Sequence, residues 1–154
     1  LLIEDILKEL AKKYSIEYTL ICEKNPDIKI DGVIFHFLKY KQNSVHEDLI
    51  RCGDIFLAPR DNNDTYNLAH SFTKIGLPMA VGIPVVATKL PSYAGAPGIF
   101  VDGFTQGWLE AIETLKLDSA KYKSVSDAGI HYCEKNFSDG AIKTAYEKLF
   151  SQII

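Results

Sequence analysis

Apolar residues recur at helical spacing from the start of the chain. Ile3, Ile6, Leu7, Leu10 and Ala11 share one face with charged residues between them, and this predicts a helix over about 2–14. Ile16 to Cys22 is short and β-rich and ends in the turn chemistry of Asn25-Pro26-Asp27, so it reads as a strand. Gly32 to Leu38 reads as a second strand. Ser44 with Glu47 three residues on forms a capping-box pattern, opening a helix that stops at Gly53. Asp54 to Pro59 is a third, nearly all-apolar strand, followed by a polar loop from Arg60 to Asn67 and a helix through Ala80. Pro84 to Thr88 and Ile99 to Val101 are further strands, separated by a loop from Leu90 to Gly98. Helices are then predicted from Thr105 (Trp108, Leu109, Ile112, Leu115), over about 119–135, and from Ser138 as N-cap (Ile142, Tyr146, Leu149, Phe150).

Strands that alternate with amphipathic helices imply a mostly parallel sheet with helices on both faces: a doubly wound, Rossmann-like α/β domain over 1–154 with a helical C-terminus. Such sheets bind ligands beyond the carboxyl ends of their strands, which makes 23–31, 39–43, 59–70 and 88–97 the functional loops.

Composition narrows this picture. The 154 residues are 47% hydrophobic and 24% charged, a globular balance that excludes disordered, collagen-like and coiled-coil architectures. The formal charge of -3, with no dense Lys/Arg run, argues against nucleic acid as a partner and leaves small anions open. No apolar stretch approaches the roughly 18–20 residues that span a bilayer, and no signal-peptide pattern opens the chain. Cys22, Cys52 and Cys133 are odd in number and widely spaced, which points to free thiols in a reducing, cytoplasmic compartment.

Motif searches mostly exclude. Neither G-x-G-x-x-G nor G-x-x-x-x-G-K-[ST] occurs, so dehydrogenase and NTPase readings lose support. A receiver domain needs carboxylates after early strands, whereas Asp31 precedes its strand, even though Lys89 follows Thr88. His36, His46, His70 and His131 share no metal-ligand spacing, and His36 reads as a core or strand-end residue. No metal or other cofactor is implied. Core packing is expected of Phe35, Phe37, Phe56, Trp108 and Phe150, whereas Tyr40, Tyr66 and Tyr93 fall in carboxyl-edge loops and serve either binding or loop anchoring.

The informative stretch runs from Asp54-Ile55-Phe56-Leu57-Ala58-Pro59-Arg60-Asp61 through His70-Ser71-Phe72-Thr73-Lys74-Ile75-Gly76-Leu77-Pro78-Met79-Ala80-Val81-Gly82-Ile83-Pro84-Val85-Val86-Ala87-Thr88 to Pro91-Ser92-Tyr93. It resembles the donor-binding C-terminal domain of the group 1 glycosyltransferases of the GT-B fold, in which K-S-x-x-K-x-x-E-x-x-A-x-G-x-P-V-V-A-[ST] follows an apolar strand ending in Pro. The resemblance implies a hexosyltransferase that moves a sugar from a nucleotide-diphosphate sugar to a glycan or lipid acceptor in glycan biosynthesis. It also implies an acceptor-binding domain beyond these residues, and peripheral membrane association of the full-length protein. By the same resemblance Arg60, Asn67, His70, Ser71 and Lys74 would bind the donor phosphates; Tyr40, Tyr66 and Tyr93, by their loop positions, and Leu77 are candidates to line the pocket. The chemistry fits: helix N–H groups, a hydroxyl and a lysine, with Ser71 and Lys74 one turn apart on one helix face, can meet one diphosphate and stabilise it as it leaves. The plainer reading makes Ser71 a cap and Lys74 a solvated charge. Gly82 and Pro84 read as helix stop and strand start, not as chemical groups.

The chain also departs from the family. Leu77 replaces the Glu that holds the nucleotide ribose, Ala69 replaces another frequent Glu, and His70 replaces the first Lys. Pro78 removes an N–H and predicts a kink or break around Gly76-Leu77-Pro78. The family's first strand and basic loop belong before the helix at 2–14, so the expectation is that the chain is part of a two-domain enzyme cut near its first strand, or that the domain manages without that strand. These departures motivate a rival reading, a non-catalytic interaction or regulatory module with a degenerate glycosyltransferase fold. A sugar-phosphate isomerase or epimerase is a third. No residue stands out as catalytic base or nucleophile.

Overall fold

The computed structural model describes residues 2–69, 71–103 and 105–152, apart from the side chain of Asn67. Along them run α1 (Glu4–Ala11), β1 (Ile16–Cys22), β2 (Val33–Lys39), α2 (Val45–Cys52), β3 (Phe56–Ala58), α3 (Thr65–Leu68), α4 (Thr73–Ala80), β4 (Val85–Thr88), β5 (Ile99–Val101), α5 (Thr105–Leu117), α6 (Ser119–Phe137) and α7 (Asp139–Ser151). A single 3-10 turn, Pro91–Tyr93, lies between β4 and β5. The expected alternation and the helical C-terminus are both present. None of these helices is long and apolar enough to cross a membrane.

All strand pairing is parallel, in two sheets. β1 pairs with β2 in register Ile16↔Val33 to Cys22↔Lys39, and β4 lies between β3 and β5 with Ala58↔Ala87 and Val86↔Ile99. β4 is buried at every residue because it faces two cores. Val86 joins a cluster with α1 (Ile6, Leu7, Leu10) and α5 (Trp108, Ile112, Leu115), whereas Val85 and Ala87 join a second with Ile75 and Met79 of α4 and Cys133 of α6. Adjacent side chains of a strand point to opposite faces, so helices cover both faces of this sheet. The β1–β2 sheet departs from that pattern. Tyr18 and Val33 pack toward the α1 cluster, but Ile34 is 53% exposed and His36 lies on the surface, its Nε2 3.2 Å from Glu17 Oε2.

Several local expectations are corrected. Ser44 holds the N-cap position of α2 as expected, but its side chain makes no capping bond; its hydroxyl lies 3.4 Å from Asp48 Oδ2, and Gly53 ends the helix in extended backbone at φ -123. The loop from Arg60 to Asn67 is not all loop, since α3 forms within it after Asp64, whose Oδ1 accepts the Tyr66 N–H at 2.9 Å. Pro78 does not break α4, because it sits within the last turn and that turn is secured beyond it. Gly82, at φ +80, donates to the Met79 carbonyl (3.0 Å) and Ile83 to the Pro78 carbonyl (2.9 Å), the paired bonds of a helix end closed by a left-handed glycine. Phe150 is not core: it is 56% exposed with Ile142, Tyr146 and Leu149 beside it, and α7 buries none of its residues. The α7 cap is as expected, with the Ser138 hydroxyl accepting the Ala141 N–H at 3.3 Å.

Candidate functional site

β3 ends at Ala58, and Pro59 after it has no N–H to continue a ladder. The next residue, Arg60, is held instead by the side chain of Thr88 at the end of β4. Its N–H donates to Thr88 Oγ1 at 2.8 Å, and the same hydroxyl donates back to the Arg60 carbonyl at 3.2 Å. Arg60 Nε is buried without a hydrogen-bond partner. Tyr93, delivered by the 3-10 turn, is 1% exposed, and its hydroxyl is likewise buried and unpartnered. Burial pushes the Tyr93 pKa up, and the Arg60 guanidinium is near enough to oppose that shift, although neither group gains a well-formed hydrogen bond from the other.

Lys74, in the first turn of α4, completes the cluster. The residue is solvent-accessible, but the protein enclosing its ammonium and, next, the charge of Arg60 hold its pKa below the ordinary lysine value. Among the described residues neither Arg60 nor Lys74 has a carboxylate partner. Tyr93 also lines an open groove of about 480 Å³ with Lys89, Leu90, Ala96, Phe100 and Asp102.

Two cations that repel each other, beside a buried hydroxyl and a buried Nε–H that both lack an acceptor, form an arrangement that an anion with several oxygens would satisfy. A Tyr93→Phe variant tests this from two sides. Removing an unpartnered buried hydroxyl should leave the ligand-free fold as stable or up to about 1 kcal/mol more stable, and should weaken anion binding. A drop in melting temperature would mean that the hydroxyl is already satisfied within the fold.

Of the residues picked from sequence, the structure thus brings together Arg60, Lys74 and Tyr93. Ser71 lies ahead of α4, not on its face, and its hydroxyl donates to Thr73 Oγ1 at 3.1 Å; it is not the N-cap either, a position held by Phe72. Asn67 has its backbone in α3, while its side chain and His70 lie outside the described residues. Tyr40 follows β2, its N–H bonded to the Cys22 carbonyl at 2.9 Å, and is 40% exposed. Tyr66 is 73% exposed, and Leu77 is half-buried in α4. Sequence reasoning noted Thr88 only as the hydroxyl residue that closes the apolar strand and its motif, and gave it no part in the site. Among the described residues no three His, Cys, Asp or Glu side chains form a metal-holding group. No protein-family model matches the chain, and no curated protein matches it.

Proposed function

We propose that this chain is the donor-binding domain of a nucleotide-sugar glycosyltransferase, with the Arg60–Lys74–Tyr93 cluster taking the diphosphate of the donor. The observation that supports this most directly is the pair of unpartnered buried polar atoms, Arg60 Nε and Tyr93 Oη, beside a second cation and at the carboxyl end of a parallel sheet. Cleavage of a sugar–phosphate bond leaves charge on the diphosphate, and donors already in place stabilise that charge without reorganisation. Transfer to a glycan or lipid acceptor would require a second, acceptor-binding domain.

The direct test is calorimetric titration of the chain with UDP, GDP and ADP at low ionic strength. A dissociation constant below about 1 mM for at least one of them is expected; no heat with any, from a folded chain, overturns the reading. Affinity should also fall with rising pH at a lower pH than an ordinary lysine would cause, because Lys74 loses its charge early. In the ligand-free protein the sign reverses: the unfolded chain holds the Lys74 proton more tightly, so this group makes the fold more stable as pH rises from the depressed pKa to the unfolded one. Melting curves with and without nucleotide across that window check both.

Leu77 distinguishes this reading from a non-catalytic module. A Leu77→Glu variant places a carboxylate on the helix that carries Lys74, and should lower nucleotide affinity several-fold by competing with the anion. A gain of about tenfold or more would favour a decayed site whose ribose contact has been restored.

A further inference from the structure

The β3–β4 ladder shows where the Arg60 N–H ought to go. The Phe56 N–H bonds to the Pro84 carbonyl, and Ala58 pairs with Ala87, so two residues further along each strand the Arg60 N–H is due at the carbonyl of Thr88. It meets the Thr88 hydroxyl instead, and that hydroxyl returns its own proton to the Arg60 carbonyl. One side chain therefore grips the peptide groups on both sides of the Arg60 Cα. The two bonds together restrict φ and ψ at residue 60, and with them the direction of its Cα–Cβ bond. Among the described residues Arg60 makes no ion pair, and its Nε has no partner. Among the described residues the hydrogen bonds of Arg60 are these two, both on its backbone.

We propose that Thr88 is a positioning residue: by clamping the Arg60 backbone it sets the direction of the guanidinium, and so the strength with which the site holds a phosphoryl group. This rests on the anion-site reading above. Thr88 has the right properties for the task, since it is 6% exposed, belongs to the most deeply buried strand, and its hydroxyl is used in both senses on a single residue. A threonine serving only to end a strand would need just one of those bonds.

The test compares Thr88→Val, which keeps the shape and removes the hydroxyl, with Thr88→Ser, which keeps the hydroxyl. Inorganic pyrophosphate is the probe, measured on the whole chain. Thr88→Val should bind pyrophosphate about tenfold more weakly, and Thr88→Ser within about twofold of the unaltered protein. In an Arg60→Gln background, Thr88→Val should have no further effect. An equal loss in both backgrounds, or no loss in either, overturns the proposal. Exchange of the Arg60 Nε–H with solvent, followed by NMR without ligand, provides an independent arm. It should be several-fold faster in Thr88→Val and unchanged in Thr88→Ser, and equal rates in all three proteins overturn the proposal. If the unaltered protein binds neither pyrophosphate nor any nucleoside diphosphate, the anion-site reading fails, and the exchange rates decide the role of Thr88 by themselves.

Discussion

An Arg60→Gln variant is expected to bind nucleoside diphosphates about 10- to 100-fold more weakly, with a melting temperature within a degree or two of the unaltered protein. The affinity loss corresponds to one charge-assisted hydrogen bond, about 1.5–3 kcal/mol. The small stability change follows from the ligand-free geometry: Arg60 Nε has no partner, and among the described residues the guanidinium makes no ion pair, so the side chain does little for the fold. The two effects are measured separately, by calorimetric titration and by thermal melting. A large fall in melting temperature with unchanged affinity would make Arg60 a structural residue. The same variant carries a second signature. Arg60 contributes to holding the Lys74 pKa down, so its removal should move the high-pH loss of Lys74 charge upward.

The largest stability effect is expected at Leu7. This residue is 2% exposed and packs in the cluster that joins α1 to Val86 of β4 and to Trp108 and Leu115 of α5, with Tyr18 of β1 and Val33 of β2 at its margin. Leu7→Ala should cost about 2–5 kcal/mol, the range for a leucine truncated in a core that cannot fully collapse. Its distribution is more telling than its size. β1 and β2 form a separate sheet from β3, β4 and β5, so packing under α1, not a hydrogen-bond ladder, ties the two together. Backbone amides at 16–22 and 33–39 should therefore gain exchange rate ahead of those at 85–88. Uniform acceleration across both sheets would show a single cooperative unit and contradict this division.

Which features could be read from the sequence follows from which interactions are local. The helices of α1, α5 and α6 and the five strands are set by apolar spacing, and Gly82 marks its helix end because a left-handed residue is needed there. Periodicity does not report which strands meet, so the split into two sheets was not legible. It also does not show whether a face finds a partner, and so Phe150 on α7 looks the same in sequence as Trp108 on α5, although one is exposed and the other buried. The Ser44 pattern matched a capping box, yet at φ -127, ψ 0 the serine side chain turns to Asp48 instead of the free N–H groups. At the candidate site, Arg60 and Lys74 were legible as cations beside a strand end. Tyr93 was ambiguous, because a loop tyrosine is buried or open according to the turn that carries it. Thr88 was invisible as a contact, since its partner lies 28 positions away in sequence.

β4 has a parity that reaches beyond its burial. Val85 and Ala87 belong to one core, Val86 to the other, and Thr88 ends the strand with its hydroxyl on the Arg60 backbone. Inserting or deleting a single residue between Pro84 and Thr88 would exchange the two faces, offering each core the side chains cut for its neighbour, and would turn the terminal hydroxyl away from residue 60. Conservative swaps of size along this strand can be absorbed, but a change of count cannot. The reading frame of four residues thus governs both whether the two helical layers close and whether the terminal hydroxyl meets the Arg60 backbone.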